Sequence, residues 1–346
     1  MEPGPLMSDI IEIWRNPQPG RIGHSVKEFL YNLNGPTWLD IGGRDSSRRR
    51  VLVTLLHGNE PSGVKALFNW LTDPERRQPE TALSILICSV EAALTEPEFS
   101  HRYMPGLPDM NRCFRPPFDS ANGRIAREIL TRIERLRPEA VVDMHNTSGS
   151  GPDFTVTTKL DDCHVRLAKN FSGRLILTEL RLGALMEADF GCPVITLECG
   201  GGIDLKADQT ALKAIHILAG KQDLFLDDDS PLPDILKHPL RFEISAEASL
   251  EYAKSPVIGI DITLAADIEK HNFGITAQNE FLGWLGPGGL DYFSAIDDAG
   301  NDIKHELFTV QDNMLYTAQP LRLFMVTPRP EIAKKDCLFY LVRAGQ

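Results

Sequence analysis

Long apolar runs are missing from this 346-residue chain. Nothing approaches the roughly 18 residues that a membrane-spanning helix needs, so no membrane partner is expected. The longest apolar stretches, Val51–Leu56 and Leu83–Val90, read as buried strands. Positive charge is in deficit: Lys+Arg is 36 and Asp+Glu is 48, giving 36 − 48 = −12. Such a chain repels phosphate backbones, which argues against a nucleic-acid partner. No Cys-x-x-Cys pair occurs among Cys88, Cys113, Cys163, Cys192, Cys199 and Cys337. They read as buried free thiols in a reducing compartment. Also lacking are a Gly-x-Ser-x-Gly elbow, which a serine hydrolase would carry, and a Gly-x-x-x-x-Gly-Lys phosphate loop. Met1–Gly20 is acidic and broken by prolines, without a basic segment leading into an apolar one, so no secretory signal is read. These absences point to a soluble cytoplasmic protein.

What is present is ordinary globular composition, 42% hydrophobic and 24% charged. The length favours about two domains. From Val51 to Leu226, strand-like and helix-like segments alternate. Val51–Leu56, Leu83–Val90, Ala140–Met144, Phe154–Thr158, Leu175–Leu177 and Val194–Leu197 are strand-like. Pro61–Leu71, the stretch with Ile125, Ile129, Ile133 and Leu136, and Asp204–Leu224 have helical spacing, and Pro138 stops the second of these. Strands apolar throughout and separated by helices indicate an α/β fold with a mainly parallel sheet flanked by helices. The pattern breaks at Asp227–Pro233, an acidic run with two prolines that reads as a linker. Beyond it, Arg241–Ser245, Ile258–Leu264, Leu321–Val326 and Leu338–Val342 alternate with period two, and Asp297–Asn301 has hairpin-turn chemistry. The expected division is residues 1–229, an α/β catalytic domain, and residues 230–346, a smaller β-rich domain.

Four strand-end or loop segments could carry chemistry. His57-Gly58-Asn59-Glu60-Pro61 follows the first clear strand at a strand-to-helix turn. Imidazole and carboxylate are both good Zn²⁺ donors, and a catalytic zinc takes three protein ligands. A lone His-x-x-Glu is also what solvated loop residues look like. Asp143-Met144-His145-Asn146-Thr147 closes a second strand with a histidine placed where a third ligand would have to be, although a sheet-edge histidine would look the same. Leu197-Glu198-Cys199-Gly200 sets a carboxylate in an apolar strand. Burial of that group is costly unless compensated, so Glu198 is either a general base beside a metal or the partner of an arginine. Asn111-Arg112 could grip a substrate carboxylate, because a guanidinium forms two parallel bonds to it, or could be a surface pair.

With these four stretches in this order, the chain resembles the succinylglutamate desuccinylase/aspartoacylase group of zinc carboxypeptidase-like hydrolases, over about Val51 to Gly202. The resemblance implies a zinc-carboxypeptidase-like fold and one Zn²⁺ per chain held by His57, Glu60 and His145. It implies Glu198 as the catalytic glutamate, Asn111 and Arg112 as the pair that binds a substrate carboxylate, and Arg102 as the residue that polarises the scissile carbonyl. The implied reaction is hydrolysis of an amide bond in an N-acyl amino acid or related small amide. A carboxypeptidase acting on a short peptide, or a silent binding protein on the same fold, are the alternatives. A homo-oligomer is compatible with the sequence. One departure matters: relatives carry another substrate-binding arginine shortly before the catalytic glutamate, where this chain has Met186-Glu187-Ala188-Asp189-Phe190. The acids there suggest a substrate whose other end is not anionic.

Overall fold

The computed structural model describes residues 11–345, with the exception of Leu180, Asp228 and Asp336. The Met1–Gly20 reading, the Asp227–Pro233 linker and the outer limits of the two expected domains therefore fall partly outside the described residues. By internal contacts the chain forms two compact units. The described part of the first is residues 11–146, 153–175 and 179–234, and that of the second is residues 147–152, 176–178 and 235–345.

In chain order the first elements are β1 (Glu12–Arg15), α1 (Pro19–Ile22), α2 (Val26–Asn32), β2 (Thr37–Ile41), β3 (Asp45–Thr54), α3 (Ser62–Thr72), β4 (Thr81–Ile87), α4 (Val90–Leu94), α5 (Ala121–Leu136) and β5 (Ala140–Thr147). There follow β6 (Phe154–Thr157), α6 (Asp162–Lys169), β7 (Arg174–Leu177), β8 (Val194–Gly201), α7 (Leu205–Gly220) and β9 (Asp234–Lys237). One nine-stranded sheet has the order β1-β2-β4-β3-β5-β8-β6-β7-β9. β3 is parallel to β4 and β5, and β1 is parallel to β2, while β2/β4 and β6/β8 are antiparallel. The α/β reading holds, and the sheet is mixed.

Every residue of β4 and β5 is buried. A strand covered on both faces has no polar side, so it appears in sequence as an unbroken apolar run. That is why these strands were legible. β1 and β2 were not: they are short, and the acids Glu12 and Asp40 interrupt their apolar residues, although Trp14 and Trp38 are both buried. Ser120 caps α5 by accepting from the Gly123 N–H at 2.9 Å, and the helix ends where Arg137 turns left-handed at φ +44°, just before Pro138. α7 is shorter than its apolar pattern suggested, because Lys221 is already extended. Its last turn is finished by a fully buried guanidinium. Arg50 donates to Leu218 O and Lys221 O, each at 2.7 Å, to Gln222 O at 3.1 Å and to Glu139 Oε1 at 2.5 Å. The open carbonyls of a helix C-terminus and an opposing carboxylate together make this buried charge tolerable.

The second unit is β-rich, with β10 (Leu240–Ile244), β11 (Leu250–Ala253), β12 (Ile262–Ala265), β13 (Ile275–Thr276), β14 (Phe281–Leu285), β15 (Phe293–Ser294), β16 (Phe308–Gln311), β17 (Met314–Thr317), β18 (Leu321–Phe324) and β19 (Phe339–Arg343). They form two five-stranded sheets, β13-β18-β19-β10-β15 and β11-β12-β14-β17-β16. All the paired strands are antiparallel except β11 and β12, which run parallel. The core gathers around Phe242, whose ring lies 4.7 Å from that of Phe293, 4.2 Å from Phe308 and 5.2 Å from Phe339. The Asp297–Asn301 turn forms as expected: Asp297 Oδ1 accepts from Asn301 N at 2.8 Å, and Ile296 bridges Asp302 in antiparallel register.

None of the six cysteines forms a disulfide among the described residues. Cys88, Cys113, Cys199 and Cys337 are buried, and burial pushes the Cys88 thiol up to about 12. Cys163 departs from the expected burial: it is exposed on α6, whose buried face is made by His164, Leu167 and Ala168. No helix among the described residues is long and apolar enough to cross a membrane.

Candidate metal centre

β3 and β5 lie side by side in parallel, with Thr54 opposite Met144. The residues that follow this level emerge at one edge of the sheet, the C-terminal edge where open α/β folds bind ligands. From β3 the chain turns at Leu55, φ +58°, through His57 and Glu60 into α3. Close approach shapes the start of that helix: a Cβ on Gly63 would lie 2.0 Å from Thr54 Oγ1. From β5 come Asp143 and His145, two residues apart and so on the same face of the strand.

These two strand ends bring His57, Glu60 and His145 together, all three buried, with one ligand-type atom from each lying within 4.8 Å of the others. The Glu60 carboxylate sits between two imidazoles. Its Oε1 is 2.8 Å from His57 Nδ1, and its Oε2 is 2.7 Å from His145 Nδ1. The outer nitrogens also meet carboxylates: His57 Nε2 is 2.9 Å from Asp109 Oδ1, and His145 Nε2 is 2.8 Å from Asp143 Oδ2. An acid behind each ring favours the proton on Nε2 and leaves the Nδ1 lone pair facing inward, which is the usual support for a metal-binding histidine. Two imidazole nitrogens and one carboxylate oxygen form a donor set that suits Zn²⁺. On donor chemistry and convergence the residues fit a metal ion.

The charges reinforce one another. Burial alone would raise the Glu60 carboxyl, but the charges of His57 and His145 outweigh it and hold the group well below its ordinary value. Burial alone would lower His145; Asp143 and Glu60 overcome it and hold the imidazole well above its ordinary value. Desolvation would raise Asp109 as well, yet the hydrogen bond from His57 and the neighbouring Arg102 depress it. At neutral pH the metal-free site therefore keeps a proton on His145. A cation needs that nitrogen's lone pair, so loading must expel the proton, and affinity should rise with pH. We expect about one proton released per divalent metal ion bound near pH 7. Calorimetric titration in two buffers of different ionisation enthalpy measures this, and identical heats in both would contradict it.

The remaining sequence candidates fall around this cluster. Arg102, in the long stretch between α4 and α5, is drawn in because its carbonyl accepts from Gly58 N at 2.9 Å. Its Nη1 donates to Glu60 Oε1 at 3.2 Å and its Nε to Asp109 Oδ2 at 3.0 Å. Asn111 is buried, with Nδ2 3.5 Å from His145 Nε2 and Oδ1 accepting from Leu185 N at 3.0 Å. Arg112 is exposed beside it, with Nη1 donating to Asn111 O at 2.9 Å. Glu198 lies on β8 opposite Phe154 of β6. Its Oε2 is buried and has no hydrogen-bond partner among the described residues. Desolvation first, opposed by the charge on His145 and reinforced by that on Glu60, pushes its carboxyl up to about 7.

Two acids that the sequence placed near the substrate are engaged elsewhere. Glu187 accepts from the backbone of Leu182 at 2.7 Å, Gly183 at 3.0 Å and Ala184 at 3.0 Å. Asp189 is exposed and pairs with Lys159 at 3.2 Å. With both charges taken up by these partners, neither acid bears on whether the substrate's other end is anionic. Asp109 was missed as a site residue. Its signal was local: an Asp preceding Met110-Asn111-Arg112 is a helix-capping residue, and it does accept from Asn111 N at 2.8 Å, but nothing nearby in sequence announced His57 as its second partner.

Residues 47–216 match the family model of the succinylglutamate desuccinylase/aspartoacylase catalytic domain. No curated protein sequence matches the chain. Among solved structures, the fold is similar to that of the ectoine utilization protein EutE (DoeB) from Ruegeria pomeroyi, with a TM-score of 0.53 at 15% identity, covering 90% of this chain and 86% of that one. It is also similar to a succinylglutamate desuccinylase from Chromobacterium violaceum, with a TM-score of 0.51 at 14% identity and 89% of each chain covered. Murine aminoacylase 3 aligns with a TM-score of 0.50 at 18% identity, over 86% of this chain and 96% of that one. The matched span contains every residue of the His57, Glu60 and His145 cluster and its surroundings, so the site lies in the part of the chain that is similar to the catalytic domain of the succinylglutamate desuccinylase/aspartoacylase family of amide-bond hydrolases.

Proposed function

We propose that this protein is a zinc-dependent hydrolase that removes the acyl group from an N-acyl amino acid or a related small amide. The observation that carries the reading is the pairing of two unlike carboxylates in one site. Glu60 is clamped between His57 and His145 and strongly acidic, whereas the Oε2 of Glu198 has no hydrogen-bond partner among the described residues and its carboxyl is raised to about 7. Neighbouring carboxylates pushed apart in this way take different roles: Glu60 joins His57 and His145 as a ligand, and Glu198 acts as the base.

A Zn²⁺ ion held there supplies Lewis acidity, polarising a carbonyl and acidifying water. The chain's own residues do the rest. Glu198 takes a proton from the attacking water and returns it to the leaving nitrogen. Arg102, oriented by Asp109 through Nε, directs positive charge at the oxyanion as it develops. Arg112 presents its exposed guanidinium to the substrate carboxylate, with Asn111 shaping the wall between it and His145. Six cysteines outside disulfides fit a cytoplasmic location.

A hydrolysis panel tests the reading. Zinc-loaded protein is incubated with N-acetyl amino acids bearing neutral, acidic and basic side chains, with N-succinylglutamate, and with short peptides. Release of free amine from a small amide, abolished by chelation and restored by Zn²⁺, is the expected result. Release confined to the C-terminal residue of peptides would assign a carboxypeptidase instead. No turnover of any compound by metal-loaded protein would leave a binding protein.

A further inference from the structure

Glu198 raises a positioning problem. Its Oε2 has no hydrogen-bond partner among the described residues, so the direction of its carboxylate is set by the backbone that carries it. On one side β8 is held by β6, in the register Phe154–Glu198 and Thr155–Leu197. Two residues beyond Glu198, Gly200 adopts φ +108°, a conformation that favours glycine, and its carbonyl turns toward the end of β5. There it meets the side chain of Asn146.

The Asn146 amide is buried and used at both ends. Its Oδ1 accepts from Ser62 N at 3.0 Å, and its Nδ2 donates to Gly200 O at 2.9 Å and to Ser62 Oγ at 2.9 Å. The orientation of the amide is not arbitrary. A backbone N–H can only donate and a carbonyl can only accept, so Ser62 N must face the oxygen and Gly200 O the nitrogen. The backbone N–H of the same residue donates to Glu60 Oε2 at 3.2 Å. Behind it, Ser62 Oγ donates to Asp208 Oδ1 at 2.6 Å, and Lys65 pairs with Asp208 at 3.2 Å. One residue thus touches the Glu60 carboxylate, the first residue of α3 and the strand end that carries Glu198.

We propose that Asn146 is a positioning residue that sets the distance between Glu198 and the His57, Glu60 and His145 cluster by tying Gly200 to Ser62. Its catalytic consequence rests on the reading of Glu198 as the base; the tie itself does not. Removing the tie leaves Ser62 N and Gly200 O without their partner and lets the end of β8 drift. Displacements of about 1 Å at a reacting group cost roughly a hundredfold in rate.

The test uses Asn146→Asp and Asn146→Ala in the full chain. The aspartate keeps the volume and the acceptor for Ser62 N but turns an oxygen toward Gly200 O. Hydrogen exchange followed by mass spectrometry should show amides of residues 198–204 exchanging at least about tenfold faster, with β4 and α5 unchanged. Metal content should match the wild type, and on any substrate the panel identifies, kcat should fall roughly a hundredfold with KM within about threefold. Unchanged exchange over residues 198–204, or faster exchange across the whole unit, overturns the proposal. Loss of folding in both variants also overturns it, because Asn146 would then be a determinant of stability. If the wild type hydrolyses nothing, the proposed activity fails, and the exchange result still decides whether the tie exists.

Discussion

Glu198→Gln should lower kcat by roughly a thousandfold while the protein stays folded and retains its metal. The substitution preserves shape and removes only the ability to accept a proton and pass it on. Positioned acid–base groups contribute typically ~10²–10⁴-fold, and Glu198 is placed to act on both the attacking water and the leaving nitrogen. Metal retention follows from geometry: the inward nitrogens of His57 and His145 are engaged with Glu60, and the Glu198 oxygen Oε2 has no partner among the described residues. Stability should not suffer, because a carboxyl raised to about 7 by desolvation gains little from ionising in this protein. Metal analysis and steady-state kinetics on the same preparation check both halves. Activity within tenfold of wild type would remove Glu198 from the reaction, and loss of the metal would make it a ligand instead.

The second large effect is expected at His57. In His57→Ala the cluster loses one of its three donors and Asp109 loses the imidazole at 2.9 Å. Even an outer partner of a metal ligand commands ~10–100-fold in affinity, so loss of a direct donor should exceed that. After dialysis the variant should hold almost no zinc, and millimolar zinc should not restore the wild-type rate. Wild-type protein stripped by chelator should regain both metal and activity, since Glu60 and His145 keep their hydrogen-bonded frame without the ion. Stoichiometric zinc in His57→Ala would place the metal elsewhere.

Much of this arrangement could be read before the fold was known, and physics separates what could from what could not. β4 and the Ala140–Val142 start of β5 announced themselves because burial on both faces leaves a largely apolar run. His57, Glu60 and His145 could be named because strand ends are local features, recognisable from an apolar run followed by a turn. Asp109, Asn146 and the engagement of Arg102 could not be read in this way. Each depends on a contact between segments far apart in sequence, such as Gly58 N to Arg102 O or Asn146 to Gly200 O. The same limit explains Glu187, whose charge looked available to a substrate until its three backbone donors were known. Cys163 is a different case: Asp161, Asp162 and His164 flank it, a polar setting that a single reading of all the cysteines as buried passes over.

The two ends of α7 bear on how the site moves. Near its start Asp208 is fastened to Ser62 and Lys65, and at its finish Arg50 grips the last carbonyls. A beam clamped at both supports transmits little displacement along its length. Strain applied to the strand end ahead of it, as when a substrate wedges against Glu198, is therefore kept out of the sheet behind. Gly200 is held by Asn146 on one side and α7 is clamped on the other, so Glu198 keeps its place relative to the His57, Glu60 and His145 cluster while the scaffold holds its shape.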